Sequence, residues 1–219
     1  MTANYGISSA IQSFTKNFIN AIMAGIFIGI AGTVFLSVQF PPLGAFLFAF
    51  GLLTILCYKF KLFTGAVGYL ANQGKETPGY LITLLAIWLG NLAGCFAVGT
   101  LVRAGRIAEG IVPRVQGLCA VKLADSSGSM LILSFFCGIL MYVAVETFRK
   151  EEINPFARTM MVFLCVVIFI LSGFEHSIAG MYYFSAAGMW NIDALGAVGI
   201  MTLGNALGGM LLPIADKIR

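Results

Sequence analysis

Charged residues are scarce in this sequence. Only 10% of the 219 residues are Asp, Glu, Lys or Arg, whereas 59% are hydrophobic and the mean hydropathy is +0.95. Soluble domains carry about 25% charged residues, so the composition excludes an ordinary soluble protein. The net charge of +4 is spread over loops and ends, whereas a nucleic-acid surface requires clustered cations. The composition therefore predicts an integral membrane protein without a nucleic-acid partner.

Residues that usually perform catalysis or hold metals are also few. The chain has one histidine, and its five cysteines include no Cys-x-x-Cys pair. An intramembrane enzyme would need a nucleophile with a base, or a cluster of metal ligands. We therefore expect no enzyme activity, and no heme, flavin or nucleotide motif predicts a cofactor. We interpret the cysteines as small packing residues. They are Cys57, Cys95, Cys119, Cys137 and Cys165.

Long apolar runs are what the sequence does contain. Each is close to the roughly 20 residues that a helix needs to cross hydrocarbon, and none alternates like a membrane barrel strand. We predict an all-α membrane protein with six transmembrane helices in one domain, residues 18–219, with the second and fifth helices broken. A polar stretch at 103–129 is the longest soluble segment. The predicted spans are Phe18–Val38, Leu43–Ala71, Gly79–Val102, Met130–Phe148, Arg158–Trp190 and Asp193–Ile214.

The N-terminal segment, residues 1–17, is mixed in polarity. Ile7, Ile11, Phe14 and Phe18 recur at helical spacing, which favours an amphipathic helix at the membrane interface, although an unstructured terminus would also fit. The apolar run that follows is too long for a signal-peptide core, so we predict an uncleaved first span.

Two of the apolar runs are interrupted at mid-depth. Tyr58–Gly65 breaks the second run with lysines and a glycine, and Gly173–His176 breaks the fifth with a carboxylate and the lone histidine. Buried ionisable groups in a membrane are costly and mark function. Non-helical backbone at that depth is tolerated only where protein covers it or where it lines a cavity.

The two halves of the chain resemble each other. Thr64 and His176, one in each break, are 112 positions apart, and the pattern Gly-Asn-x-x-Gly at Gly90 recurs at Gly204 with a spacing of 114. Each half, about 18–102 and 130–214, has three spans, so the halves must have opposite orientations. This arrangement is an inverted repeat whose broken helices meet at a midplane site.

The distribution of cations predicts the orientation of the chain. With the N-terminus inside, the inner side has more Lys and Arg than the outer side, which favours two cytoplasmic termini in a cell membrane. The inner cations are Lys16, Lys75, Arg149, Lys150, Arg158, Lys217 and Arg219, and the outer ones are Arg103, Arg106, Arg114 and Lys122.

The motifs at the two breaks resemble the formate/nitrite transporter family of small-anion channels. Leu62-Phe63-Thr64-Gly65 matches the family's second span and Gly173-Phe174-Glu175-His176-Ser177 its fifth, while the Gly-Asn motifs match its third and sixth. The resemblance covers essentially the whole chain. It implies an aquaporin-like protomer with its own pore, a homopentamer, and passage of formate, nitrite or hydrosulfide.

The same resemblance implies roles for individual residues. It makes His176, Thr64 and Asn205 polar pore residues, with Lys122 near the outer mouth. Five residues fall at its apolar constrictions, and four more are supporting residues. The constriction residues are Phe48, Leu52, Leu62, Phe63 and Phe169, and the supporting residues are Gly65, Gly173, Glu175 and Asn91.

The chain departs from the family pattern at five positions. Lys61 and Ala66 replace a Glu and an Asn around the Thr-Gly motif, Gly180 and Tyr142 replace two further Asn residues, and Lys122 is about one turn out of register. These changes indicate a divergent branch, such as the hydrosulfide channels.

The chemistry of a small anion explains why such a pore would use histidine. An anion loses much solvation energy in an apolar passage, whereas its conjugate acid loses far less. Histidine, with an ordinary pKa of about 6.5, can lend and regain a proton near neutral pH. The hypothesis is that an anion attracted past Lys122 reaches His176 and Thr64 and exchanges a proton there.

Several alternatives remain open from the residues alone. The lone histidine could be structural, Asn91 and Asn205 could satisfy backbone groups where helices cross, and Phe48 and Phe169 could be core residues. Lys59 and Lys61 could snorkel or neutralise the break. The competing functions are a neutral-solute pore of aquaporin type, whose Asn-Pro-Ala motifs are absent, and a membrane subunit without transport of its own.

Overall fold

The computed structural model of the chain is built from helices. It describes the backbone of residues 2–219 and the side chains of residues 12–219, and no strand occurs in that backbone. Two short 3-10 helices, Val67–Asn72 and Gly74–Glu76, lie between α3 and α4. The α-helices are α1 (Thr2–Ser37), α2 (Pro41–Cys57), α3 (Phe63–Ala66), α4 (Thr77–Ala104), α5 (Ala108–Ala124), α6 (Ser127–Arg149), α7 (Pro155–Leu171), α8 (Ser177–Ala187) and α9 (Ile192–Ile218).

Within the described part of the chain, four helices are long and apolar enough to cross a membrane. They are the part of α1 from Gln12 to Ser37, the segment Gly74–Ala104 that contains α4, and helices α6 and α9. Helices α2 and α7 are apolar but have only 17 residues each. Each of these two is followed by an irregular segment and then a further helix. This placement matches the predicted positions of the two broken spans.

The two breaks have the same local construction. Helix α2 ends at Cys57, and the chain is non-helical until α3 begins at Phe63; helix α7 ends at Leu171, and α8 begins at Ser177. The segment after the first break differs from the continuous helix predicted over Ala66–Ala71, because α3 is only four residues long and continues as a 3-10 helix.

Glycines allow the long helices to approach closely. A Cβ atom on Gly25 of α1 would lie 2.3 Å from the carbonyl oxygen of Asn91 in α4. In the second half, a Cβ on Gly138 of α6 would lie 2.3 Å from the carbonyl oxygen of Asn205 in α9. Small residues at helix crossings are the usual means of close packing in lipid, where no hydrophobic effect drives helices together. The glycine-rich faces therefore bring each asparagine next to a break.

The polar stretch at 103–129 contains a helix, α5, that the sequence reading did not separate from the soluble segment. Ile111, Val115 and Cys119 are buried and lie four residues apart, which places them on one face. Gln116 donates a hydrogen bond to the carbonyl oxygen of Ala187 at the end of α8. The stripe is only three residues wide along α5, and charged residues such as Glu109 and Lys122 share the helix, so mean composition hides it.

Helix α1 begins before the predicted first span. It runs without interruption from Thr2 to Ser37, so the backbone shows no boundary at residue 17. The rings of Phe14 and Phe18 are stacked with centroids 6.4 Å apart. The side chains of Ile7 and Ile11 lie outside the described residues, and the interfacial role of residues 1–17 stays a prediction.

Candidate functional site

A buried hydrogen bond joins the two breaks. Thr64 is 0% exposed and His176 is 3% exposed, and Thr64 Oγ1 lies 2.9 Å from His176 Nε2. Thr64 is the second residue of α3, and His176 immediately precedes α8. The fold thus brings together two polar residues that are 112 positions apart in the chain.

The second nitrogen of His176 fixes the position of its proton. His176 is the N-cap residue of α8, and its Nδ1 accepts a hydrogen bond from the backbone N–H of Ala179 at 3.0 Å. An imidazole nitrogen that accepts a hydrogen bond carries no proton, so the proton of the neutral ring is on Nε2. His176 Nε2 therefore donates to Thr64 Oγ1, and the Thr64 hydroxyl proton remains available to another acceptor.

Aromatic rings cover one side of this pair. The Phe169 ring is stacked on the His176 ring with centroids 5.6 Å apart. Phe48 meets Phe169 edge to face at 6.0 Å, and both phenylalanines are buried. Two of the predicted constriction residues thus form a continuous apolar wall with the histidine.

The other three predicted constriction residues lie around the first break. Leu62 is the N-cap residue of α3 and Phe63 its first residue, and both are buried, as is Leu52 in α2. Leu52 and Leu62 also line a cavity, as does Gly65, whereas Thr64 does not. A Cβ on Gly65 would lie 2.9 Å from Val145 Cγ2, so glycine permits α3 to pack against α6.

Asn91 holds the first break in place. Its Oδ1 accepts a hydrogen bond from the N–H of Phe63 at 2.9 Å. Its Nδ2 donates to the carbonyl oxygens of Ala21 and Lys61, at 2.8 and 2.9 Å. Asn91 thereby connects α1, α4 and the start of α3.

Asn205 repeats this arrangement at the second break. Its Oδ1 accepts from the N–H of Ser177 at 2.8 Å, and its Nδ2 donates to the carbonyl oxygens of Ser134 and Glu175, both at 2.8 Å. The side chain is 0% exposed, and both of its N–H groups are used on backbone. These bonds favour the interpretation that Asn205 satisfies backbone groups over a direct contact with the pore.

The hydrogen bonds at the breaks also correct the alignment of the two halves. Lys59 (φ 58) and Gly173 (φ 68) are both left-handed, and each follows the last turn of its helix. Phe60 N–H donates to Ile55 and Phe174 N–H to Phe169, each at 2.9 Å. Corresponding residues are 114 apart, so the register does not pair Thr64 with His176.

In the corrected register, Leu62 corresponds to His176 and Lys61 to Glu175. Their carbonyl oxygens confirm the second pairing, since Lys61 accepts from Asn91 and Glu175 accepts from Asn205. The two breaks thus have the same backbone conformation, and they carry side chains of opposite charge at the corresponding position.

Glu175 and Lys122 form an ion pair. Lys122 Nζ in α5 contacts Glu175 Oε2, and their side chains are 13% and 12% exposed. The Lys122 ammonium also lies 5.8 Å from the centroid of the Tyr183 ring in α8. The Glu175 N–H donates to the carbonyl oxygen of Leu133. Lys122 therefore reaches the second break, where its charge is compensated.

A cavity of about 780 Å³ lies beside the first break, and Asn17 and Gln73 are among its lining residues. Its lining includes four cations and one carboxylate, Glu151. Within residues 12–219, none of the four cations forms an ion pair, because the ion pair found there joins Lys122 and Glu175. We name this site the basic cavity, and its cations are Lys59, Lys61, Arg149 and Arg158.

Sequence reasoning did not find the basic cavity. The sequence predicts only that Lys59 and Lys61 snorkel or neutralise the break, and it places Arg149 and Arg158 among the inner loop cations. The four residues come from the break after α2, the end of α6 and the start of α7. No local sequence pattern around these residues predicts that the three segments contact each other.

Two departures from the family pattern have structural consequences. Tyr142 packs on Tyr69 with ring centroids 5.7 Å apart, and a Cβ on Gly68 would lie 2.5 Å from Tyr142 Cδ2. A Cβ on Gly180 would lie 2.8 Å from Met201 Cε. Aromatic and sulfur atoms thus fill the space beside both positions where the family usually has asparagine.

A polar contact that the sequence did not reveal lies next to Tyr142. Tyr69 donates a hydrogen bond to Glu146 Oε2 at 2.6 Å, and the Arg149 guanidinium lies 4.8 Å from the Tyr69 ring centroid.

Among the described side chains, no three His, Cys, Asp or Glu residues are placed to hold a metal ion.

Comparison with known proteins identifies related transporters. The model of the formate/nitrite transporter family matches residues 1–215. The nitrite transporter NirC of Escherichia coli strain K12 is 28% identical, with 92% of this chain and 87% of that protein covered. Formate-nitrite transporter 2 of Toxoplasma gondii is 26% identical over 95% of this chain and 51% of its own length.

Solved structures show the same fold. An FNT family ion channel superposes with a TM-score of 0.81 at 22% identity, covering 98% of this chain and 96% of that one. A pentameric formate channel with formate bound gives a TM-score of 0.78 at 23% identity, covering 94% and 97%. The family model, the transporter relatives and the apolar helices together show a multi-pass membrane protein.

Proposed function

Because this chain belongs to the formate/nitrite transporter family, we propose that it is a channel or transporter for small monovalent weak-acid anions, namely formate, nitrite or hydrosulfide. The observation that carries this proposal is the buried hydrogen bond between Thr64 and His176 at the meeting point of two broken helices. A buried polar pair between apolar walls is a suitable place for an anion that must lose its water.

We place the pore along the line from the basic cavity to the ion pair of Lys122 and Glu175. The five apolar constriction residues form slits on the two sides of Thr64 and His176. Lys122 attracts the anion at the outer mouth, where the anion competes with Glu175 for the ammonium. Asn91 and Asn205 hold the breaks rigid, so the sequence prediction that Asn205 lines the pore stays a prediction.

The geometry of His176 sets a condition on proton exchange. The neutral ring has its proton on Nε2, and Nδ1 accepts from Ala179. Gain of a second proton must occur at Nδ1, and it breaks that hydrogen bond. An arriving anion favours the imidazolium, which forms when Nδ1 takes up a proton from water. The imidazolium then gives its Nε2 proton to the anion, which leaves a neutral ring with its proton on Nδ1. We therefore propose that the Nδ1–Ala179 hydrogen bond keeps His176 neutral until an anion arrives.

The wider architecture in this proposal has six spans in two inverted repeats. The matching asparagine hydrogen bonds at the two breaks support it, and a related structure is a pentameric formate channel. We propose a homopentamer in the cytoplasmic membrane with both termini in the cytoplasm, so that the basic cavity faces inside.

The function is tested by stopped-flow flux into liposomes that contain the purified protein. We expect weak-acid anion flux that depends on pH, for formate, nitrite or hydrosulfide, and little chloride or glycerol flux. Glycerol flux alone would instead show a neutral-solute pore. No flux of any solute, with the protein folded and correctly assembled, would show a subunit without transport.

A further inference from the structure

The basic cavity has more positive charge than passage of a monovalent anion requires. Four cations and one carboxylate line about 780 Å³, which gives a net charge of +3 when only these side chains are counted. Glu146 lies nearby but accepts the Tyr69 hydroxyl. Close positive charges repel each other. Arg158 is half-buried, and the other three cations are exposed at the cavity. A counter-anion in the cavity would relieve the repulsion.

Three of these cations have unused donors, whereas Arg149 lies over the Tyr69 ring. Arg158 Nη1 donates to the carbonyl oxygen of Phe148 at 3.2 Å, whereas Arg158 Nε is buried and has no partner. Lys59 and Lys61 make no hydrogen bond through their ammonium groups within residues 12–219. Buried donors without partners are uncommon in native structures, so Arg158 Nε is a donor that a ligand in the cavity would satisfy. Lys59 and Lys61 are exposed cations at the same site.

The internal repeat shows that the charge of this site is specific to one mouth. At the second break, Glu175 neutralises Lys122. At the corresponding position of the first break stands Lys61, and Lys59, Arg149 and Arg158 share the cavity that it lines. One break therefore has a compensated pair, and the other has an uncompensated group of cations.

We propose that the basic cavity binds a polyvalent phosphate-type oxyanion, which blocks the pore from the inner side. Arginine and lysine together suit such an anion, since guanidinium groups bind phosphate oxygens in pairs and ammonium groups act as point charges. The cavity is several times larger than formate or nitrite. Leu52 and Leu62 line its wall, and an anion with more than one charge loses too much solvation energy to pass them.

The test measures binding of inorganic pyrophosphate to the purified full-length protein in phospholipid-free detergent, by calorimetry at constant ionic strength. The wild type should bind saturably. Lys61→Gln should weaken binding about tenfold, because a charge-assisted hydrogen bond is lost. Lys75→Gln is the matched control, since Lys75 is an exposed cation that does not line the cavity, and it should retain wild-type affinity. Equal affinity of Lys61→Gln and wild type, or no saturable binding, overturns the proposal.

A second measurement separates soluble anions from lipid headgroups, which share the phosphate chemistry. The calorimetry is repeated after addition of an anionic phospholipid. Weaker pyrophosphate binding identifies the headgroup as an occupant of the same cavity, and unchanged binding identifies a soluble anion. Either result supports the site.

A flux assay tests the block itself. Pyrophosphate on both sides of the liposome membrane should slow formate flux through the wild type more than through Lys61→Gln. Equal slowing of both proteins would show that pyrophosphate only screens charge non-specifically, and it would overturn the proposed block. A wild type that carries no anion without pyrophosphate contradicts the proposed function alone, because the binding measurement still decides the site.

Discussion

The two nitrogens of His176 have separable roles, and substitution can distinguish them. Nδ1 caps α8 by accepting from Ala179, and Nε2 donates to Thr64. Asparagine is a strong N-cap residue whose side-chain oxygen can take the place of Nδ1, but it does not reach as far as Nε2. His176→Asn should therefore keep the cap and lose the pore donor. His176→Phe should lose both.

The hydrogen bonds that each variant loses determine how far its free energy of unfolding should fall. A buried hydrogen-bonding group left without a partner costs about 1–2 kcal/mol. His176→Asn leaves only the Thr64 hydroxyl without its partner, so the free energy of unfolding should fall by about 1–2 kcal/mol. His176→Phe also leaves the Ala179 N–H unpaired, so the fall should be about 2–4 kcal/mol. Thr64→Val is the control for the bond between the breaks and should cost about as much as His176→Asn.

Two measurements check this reasoning together. Unfolding in detergent gives the order of stability, and stopped-flow flux at several pH values gives the transport role. If Nε2 handles the anion, His176→Asn should be more stable than His176→Phe and yet lose most of the flux and its pH dependence. A wild-type rate and pH profile in His176→Asn would show that the histidine is only a helix cap. Equal loss of stability in the two variants would refute the capping argument.

Two further predictions concern the scaffold. Asn205→Ala removes three hydrogen bonds at the second break and should lower the free energy of unfolding by about 2–4 kcal/mol; unchanged unfolding in detergent would contradict the role of Asn205. Gly208→Ala would place a Cβ 1.9 Å from the carbonyl oxygen of Phe135, so α6 and α9 must separate and the correctly assembled fraction in size-exclusion chromatography should fall. Gly196→Ala in the same helix meets nothing within 4 Å and should assemble like wild type, whereas equal behaviour of the two variants would show that the close crossing is not needed.

The sequence determined those features that depend on local composition and on motifs. Apolar run length and scarce charge specify a helical membrane protein, because the energy of burying a segment in lipid is set by that segment alone. A polar interruption such as Gly173–His176 indicates a break for the same reason. The motifs around Thr64 and His176 also identified the family, since the ordered set spans nearly the whole chain.

Only the tertiary structure decided which groups meet. The proton position on His176 depends on the N–H of Ala179 and the hydroxyl of Thr64, and the second of these comes from the other half of the chain. The register of 114 is fixed by backbone hydrogen bonds, so spacing between polar residues misplaced it by two positions. The four cations of the basic cavity come from separate segments, and their charges interact through space. Such interactions depend on distances that exist only after the helices have packed.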